Sequence, residues 1–271
     1  MPPRAPIAIE NPVDPVGPPA GEPGDCAGRP APAWSAAAEA AQAARDWLAA
    51  ASALVAPPSC TGCRRPLARA AEPLCGACRG SLPWLPGERC PRCALPSPCG
   101  ARCAMAGSAV GRSWAPLAFE GPARDVVHAL KFRGAVGLAD LMAAQIVATA
   151  PRGLLRRDAC LVPVPTPGGR RRWRGFDHAA RLAAAIAART GHTVVPCLRR
   201  TGPAPRQATA GRTARLAHGR VRVKAVGPVP AAVILVDDVH TTGATLRACG
   251  RMLQMNGAVT VWGVTYARAL R

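Results

Sequence analysis

Hydrophobic residues change their spacing along the chain, and the changes divide it into regions. The first 33 residues hold many prolines (PP, DPVGPP, GEPG, RPAP) and no hydrophobic period, which predicts a disordered tail. From Trp34 to Val55 alanine dominates a predicted helix. Its Trp47, Leu48, Leu54 and Val55 can cover a core edge, and Pro57-Pro58 ends it. Residues 59–104 carry cysteine pairs and no period. After Gly107 strand-like and helix-like patterns alternate. Strands are expected near Trp114–Phe119, Cys160–Pro165, Thr193–Cys197, Ala232–Asp237 and Val259–Tyr266. Between them Leu138, Leu141, Met142 and Ile146 recur at helical spacing, as do Leu182 with Ile186 and Leu246 with Leu253. This alternation predicts an α/β layer fold. Arg199–Arg220 has six arginines and no apolar period, and reads as a long mobile loop of the kind that carries function.

Charge sharpens the division. The 271 residues hold 35 Lys plus Arg against 15 Asp plus Glu, a formal net charge of +20. Residues 1–56 are mildly acidic, whereas 111–271 hold 25 basic residues against seven acidic ones. That excess favours polyanionic partners. Only Lys131 and Lys224 are lysines, so arginine abundance partly reflects a compositional habit and does not by itself mark phosphate sites. No run of 18 apolar residues occurs, and no basic stretch precedes the Ala-rich segment. A cytoplasmic protein without a membrane span is therefore expected.

Eight of the 12 cysteines fall between Cys60 and Cys103, as Cys60-x-x-Cys63, Cys75-x-x-Cys78, Cys90-x-x-Cys93 and Cys99-x3-Cys103. Each knuckle places two thiolates on one side of a tight turn, and two knuckles complete the tetrahedral shell that zinc prefers. The pattern predicts one or two closed structural zinc sites. A reducing compartment disfavours a disulfide scaffold, and the paired spacing lacks an iron–sulfur run. Only five residues separate the knuckles of the second set, which leaves cross-pairing open. With two zinc ions bound, the eight thiolates bring the charge of 57–110 close to neutral, making this region a poor nucleic-acid clamp.

The sharpest chemistry lies in Val233-Ile-Leu-Val-Asp237-Asp238-Val-His-Thr241-Thr242-Gly243-Ala244-Thr245. Four aliphatics predict a buried parallel strand. Two acids end it, and a small-residue turn opens a helix, at the sheet edge where α/β ligands bind. Backbone N–H groups in such a turn form an anion nest, reinforced by the helix dipole and threonine hydroxyls. Paired carboxylates beside it suit the vicinal hydroxyls of a ribose. A ribose 5-phosphate satisfies both halves.

The segment resembles the phosphoribosyl pyrophosphate motif of type I phosphoribosyltransferases, and its setting resembles the ComF (GntX-type) family, linked to natural competence and DNA uptake. The likeness rests on the cysteine knuckles with Leu82-Pro83-Trp84, then Val127-His128-Ala-Leu-Lys131-Phe132-Arg133-Gly134. Val162-Pro-Val-Pro165, Arg172-Trp-Arg174-Gly175-Phe176 and the Asp-Asp turn follow in family order, over about Trp47 to Arg268. It implies a type I phosphoribosyltransferase-like parallel sheet with helices on both faces, preceded by a small double zinc ribbon. The divisions become a tail and helix start at 1–46, a helix plus ribbon at 47–108, and the phosphoribosyltransferase-like domain at 109–271.

By the resemblance, Asp237 and Asp238 hold the ribose hydroxyls, and Thr241, Thr242, Gly243, Ala244 and Thr245 hold the 5-phosphate. Arg170, Arg171, Arg172 and Arg174 approach the pyrophosphate with its Mg²⁺, and Lys131 joins the substrate site. Asp177-His178 departs from the family's usual Asn-Gln. Asp177 still suits a helix N-cap. His240 reads as a supporting residue, and no general acid–base pair is evident. Two functions follow: an enzyme that binds phosphoribosyl pyrophosphate and transfers phosphoribose to a nitrogen acceptor, or a non-catalytic protein that handles single-stranded DNA with the DNA-uptake machinery. Few aromatics are available for base stacking, which counts against the second.

Overall fold

The computed structural model describes residues 58–68, 72–99, 103, 105–133, 137–166, 176–201 and 221–270. The predicted tail, the Ala-rich helix, Arg170, Arg171, Arg172, Arg174 and most of the Arg199–Arg220 loop lie outside the described residues. Twelve elements run in the order α1 (Gly76–Gly80), β1 (Arg112–Trp114), β2 (Leu117–Ala118), α2 (Gly121–Arg133), α3 (Gly137–Thr149), β3 (Cys160–Pro163), α4 (His178–Thr190), β4 (Leu198–Thr201), β5 (Arg222–Ala225), β6 (Ala232–His240), α5 (Ala244–Met255) and β7 (Thr260–Arg268).

The main sheet is parallel in the order β1-β7-β6-β3, with β2 continuing the β1 edge along β7. Strand β6 supplies its centre. Alternation sends Ile234 and Val236 to one face and Val233 and Leu235 to the other, so both faces are buried and the run is wholly aliphatic. On the first face Ile234 and Val236 join α2, α3 and α4 through Val127, Leu130, Met142 and Leu182. On the second, Val233 and Leu235 join Leu246, Cys249 and Leu253 of α5. Helices therefore flank both faces, as the strand–helix alternation predicts.

Two expectations need correction. Thr193–Cys197 forms no strand; Val194 makes a single parallel bridge to Leu161, with Leu161 N–H donating to Thr193 and Val195 N–H to Leu161, both at 2.9 Å. Pro196 lacks the N–H needed to extend the ladder. The long loop is also shorter than read, because β4 and β5 pair antiparallel from Leu198↔Ala225 to Thr201↔Arg222 at its base.

Candidate functional site

The cysteines form two separate clusters in sequence order: Cys60, Cys63, Cys75 and Cys78, then Cys90, Cys93, Cys99 and Cys103. Cross-pairing is absent from these clusters. In each, the ligand atoms lie within 4.8 Å of one another, with Sγ–Sγ distances of 3.7 Å for Cys63–Cys75 and 3.9 Å for Cys90–Cys103. A tetrahedral shell with Zn–S of about 2.3 Å has sulfur–sulfur edges of about 3.8 Å, so both clusters fit a structural zinc ion. The knuckles repeat each other. Cys60 N–H donates to Arg65 and Arg64 N–H to Cys60, while Cys90 N–H donates to Leu95 and Ala94 N–H to Cys90. Arg64 and Ala94 both take left-handed φ, 64° and 57°, at equivalent places.

Within each cluster the thiols do not ionise alike. Burial works to raise the Cys60 thiol, yet the surrounding N–H groups of Cys63, Cys75 and Gly62 bring it down to about 6. Cys90 falls to about 7 in the same way, with burial opposed by the Cys93 N–H and the Cys99 side chain. Burial pushes Cys78 and Cys93 up to about 12, and neighbouring cysteines add to the shift. Four thiolates together need a metal to neutralise them.

At the carboxyl end of β6 the two acids differ in burial and partners. Strand alternation places Asp238 on the face that Ile234 and Val236 share with α2 and α4, while an Asp237 oxygen stays within 4.8 Å of Asp238 and His178. Asp238 is almost fully buried and pairs with Lys131 Nζ of α2 at 2.7 Å and His178 Nε2 of α4 at 3.2 Å. Asp177 caps α4 by accepting from Ala179 and Ala180 N–H at 3.1 and 3.3 Å, and Thr166 donates to it. This cap fixes the first turn of α4, and with it His178. Oxygens of both aspartates and a His178 nitrogen lie within 4.8 Å of one another. Asp237 retains partial exposure. Packing around its carboxyl, then the charge of Asp238, pushes it up to about 8 against the opposing pull of Lys131. The Lys131 and His178 pairs both belong to Asp238, so the two neighbouring carboxyls are held differently.

The following turn leaves Thr241 and Thr242 exposed, and Gly243 caps α5 with φ 74° and no side-chain hydrogen bond. Ala244 N–H meets Thr242 Oγ1 at a long 3.4 Å. The start of α5 is thus an open, weakly capped set of donors. Glycine is required at 243, because an added Cβ would lie 2.6 Å from Met105 Sδ and 2.9 Å from His240 Nε2. His240 beneath the turn is buried with no hydrogen-bond partner on either ring nitrogen. Burial and then Arg268 hold its pKa down near 3, so it is neutral. Arg268, only 2% exposed, donates Nε–H to the Cys93 carbonyl and Nη1–H to the carbonyls of His240, Thr241 and Ala269.

The structure thus assembles Lys131, Asp237, Asp238 and Thr241–Thr245 at one sheet edge. Three contributors escaped sequence reasoning. His178 was visible only as a departure in a family motif. Arg268 and Met105 left no local signal, because their contacts join residues far apart in sequence.

Residues 51–106 match the model of the double zinc ribbon domain. Among curated proteins, the chain is 25% identical to the competence protein ComFC of Bacillus subtilis over 209 residues, which is 73% of this chain and 85% of that protein. It is 29% identical to the DNA utilization protein YhgH of Salmonella typhimurium over 223 residues. It is 30% identical to YhgH of Salmonella typhi over 224 residues, 77% of this chain and 96% of that protein. No helix among the described residues is long and apolar enough to cross a membrane.

Proposed function

The chain belongs to the ComF family of competence and DNA utilization proteins, and from that premise we propose that its sheet-edge site binds phosphoribosyl pyrophosphate with Mg²⁺. The observation that carries this reading is the buried Lys131–Asp238 pair standing beside Asp237 and an open α5 N-terminus. Asp237 and Asp238 accept the ribose hydroxyls. Backbone N–H groups from Thr241 to Thr245, with the threonine hydroxyls, take the 5-phosphate. Lys131 and His178 hold the Asp238 carboxylate in place. Arg170, Arg171, Arg172 and Arg174 would face the pyrophosphate, and Mg²⁺ supplies charge neutralisation there. If turnover occurs, the ribose C1–oxygen bond to pyrophosphate breaks as a bond to an acceptor nitrogen forms, and the acceptor loses a proton. Positioning and fixed charge then do the catalytic work.

Isothermal titration of phosphoribosyl pyrophosphate with Mg²⁺ into the zinc-loaded protein tests the pocket. Micromolar binding, about −8 kcal/mol, should disappear in the Asp237→Asn/Asp238→Asn double variant. Absence of binding by folded wild type overturns the reading.

The basic excess of residues 111–271 favours a second reading, single-stranded DNA handling during DNA uptake. On that reading oligonucleotide affinity falls steeply with salt. It also tolerates Asp237→Asn and weakens when Arg171, Arg172 and Arg174 are changed together. Fluorescence anisotropy across a salt series separates the two: retention of DNA affinity in the triple-arginine variant removes the second.

A further inference from the structure

We propose that Arg268 is a positioning residue that couples the second cysteine cluster to the anion turn, so that metal in the one and phosphate on the other favour each other. Its guanidinium spans the two directly. One side donates to the carbonyl of Cys93, a residue of the cluster, at 2.7 Å; the other donates to the carbonyls of His240 and Thr241, which begin the turn. A second contact runs parallel to it. Met105, two residues beyond Cys103, packs so closely on Gly243 that no Cβ fits between them. Two further bonds dock the same knuckle on the sheet, Ser113 N–H to Pro91 at 2.7 Å and Ser113 Oγ–H to Arg92 at 2.6 Å.

Charge gives the coupling a cause. Arg268 is a buried cation whose hydrogen-bond acceptors among the described residues are neutral carbonyls. A zinc ion with four thiolates carries a formal net charge of about −2, which supplies a counter-charge where the guanidinium needs one. Filling the cluster therefore fixes Arg268, and Arg268 fixes the carbonyls at the start of the turn. His240 adds no competing charge because it is neutral. Among the described residues the first cluster has no such route, since Cys60 and Cys78 pack into the core on the opposite sheet face.

The ligand half of this inference rests on the phosphate-binding reading above; the structural half does not. Hydrogen exchange of the full chain, with either cluster emptied by a Cys→Ser change, tests the structural half. Cys99→Ser should speed exchange across 239–247 by about fivefold or more, and Cys63→Ser should not. Equal effects of the two variants, or none, overturn the coupling whatever the pocket binds. The ligand half is read from zinc release to a chromophoric chelator with ribose 5-phosphate as the probe. Reciprocity requires bound probe to tighten the protein's hold on one of the two ions, and the tightening is expected to show as release of that ion slowed by about fivefold or more, with the other unchanged. Arg268→Lys, which keeps the charge but not the fork of donors, should retain two zinc ions and lose the slowing. Failure of ribose 5-phosphate to bind in calorimetry overturns the pocket reading; binding with unchanged release rates overturns the coupling alone.

Discussion

Asp237 and Asp238 are neighbours in sequence with different partners, and that difference predicts a measurable cost. Asp238 has Lys131 and His178 against it, whereas at Asp237 burial and the charge of Asp238 outweigh the opposing pull of Lys131. Its pKa is raised above the unfolded carboxylate value, so the fold favours its protonated form. Stability from this group is complete below the unfolded value of 3.8 and is lost as pH climbs through about 8. Asp237→Asn, neutral throughout, should raise unfolding free energy by about 0.5–2 kcal/mol near pH 8 and by less near pH 6. Urea unfolding at the two pH values checks this, and an equal or larger gain near pH 6 contradicts the assignment. The same substitution removes an acceptor for a ribose hydroxyl. Stability gained with binding lost would mark Asp237 as retained for function.

At the scale of elements, the turn between β6 and α5 depends on one residue that has no room for a side chain. Gly243→Ala combines a left-handed φ with a close approach to Met105 and the buried His240. Relief requires the buried Met105 and His240 side chains to shift or the turn to move. The expected cost is about 1–3 kcal/mol in denaturant unfolding, with loss of phosphoribosyl pyrophosphate binding in titration calorimetry. Wild-type binding by this variant would show that the turn's conformation is not needed for the anion.

Why this element was legible, while others were not, follows from their side chains. Strand β6 declares itself through four consecutive aliphatics buried on both faces. The β4–β5 pair buries chiefly Leu198 and Val223 and exposes Arg199, Arg222 and Lys224, so its only alternation, Arg222–Ala225, is too short to stand out in a basic stretch. Thr193–Cys197 has strand-like composition, but Pro196 interrupts it. Helix α2 carries Ala123, Val126, Val127 and Leu130 at helical spacing, yet its role emerges only when Lys131 reaches Asp238. Motif residues that act through their own backbone or their sequence neighbours are readable from spacing. Arg268 acts on carbonyls 175, 28 and 27 residues away, and only the folded sheet brings them together.

Across the whole molecule, the two cysteine clusters are packed into the cores on different faces of the sheet. Cys60 and Cys78 belong to the core formed with α2, α3 and α4, while Cys90 and Cys93 belong to the core formed with α5. Between them the chain is stitched to the β1–β2 edge. Arg89 lies 3.4 Å over the Trp114 ring and donates to the Ala115 carbonyl, and Leu85 N–H donates to Pro116. The ribbon thus clasps one sheet edge and contributes to the packing on both faces. A separable zinc module would unfold in its own transition and leave the sheet's midpoint unchanged. The shared cores predict the contrary. Calorimetry of the zinc-loaded protein should give one cooperative transition for the described region, and stripping both ions with a chelator should lower that midpoint rather than split off a smaller early peak. With about 2–4 °C for each kcal/mol at this chain length, loss of even a few kcal/mol of metal linkage moves the midpoint well beyond error. An unchanged main transition after complete zinc removal would mean that the sheet holds its shape without the clasp, and that the clusters serve only the ribbon.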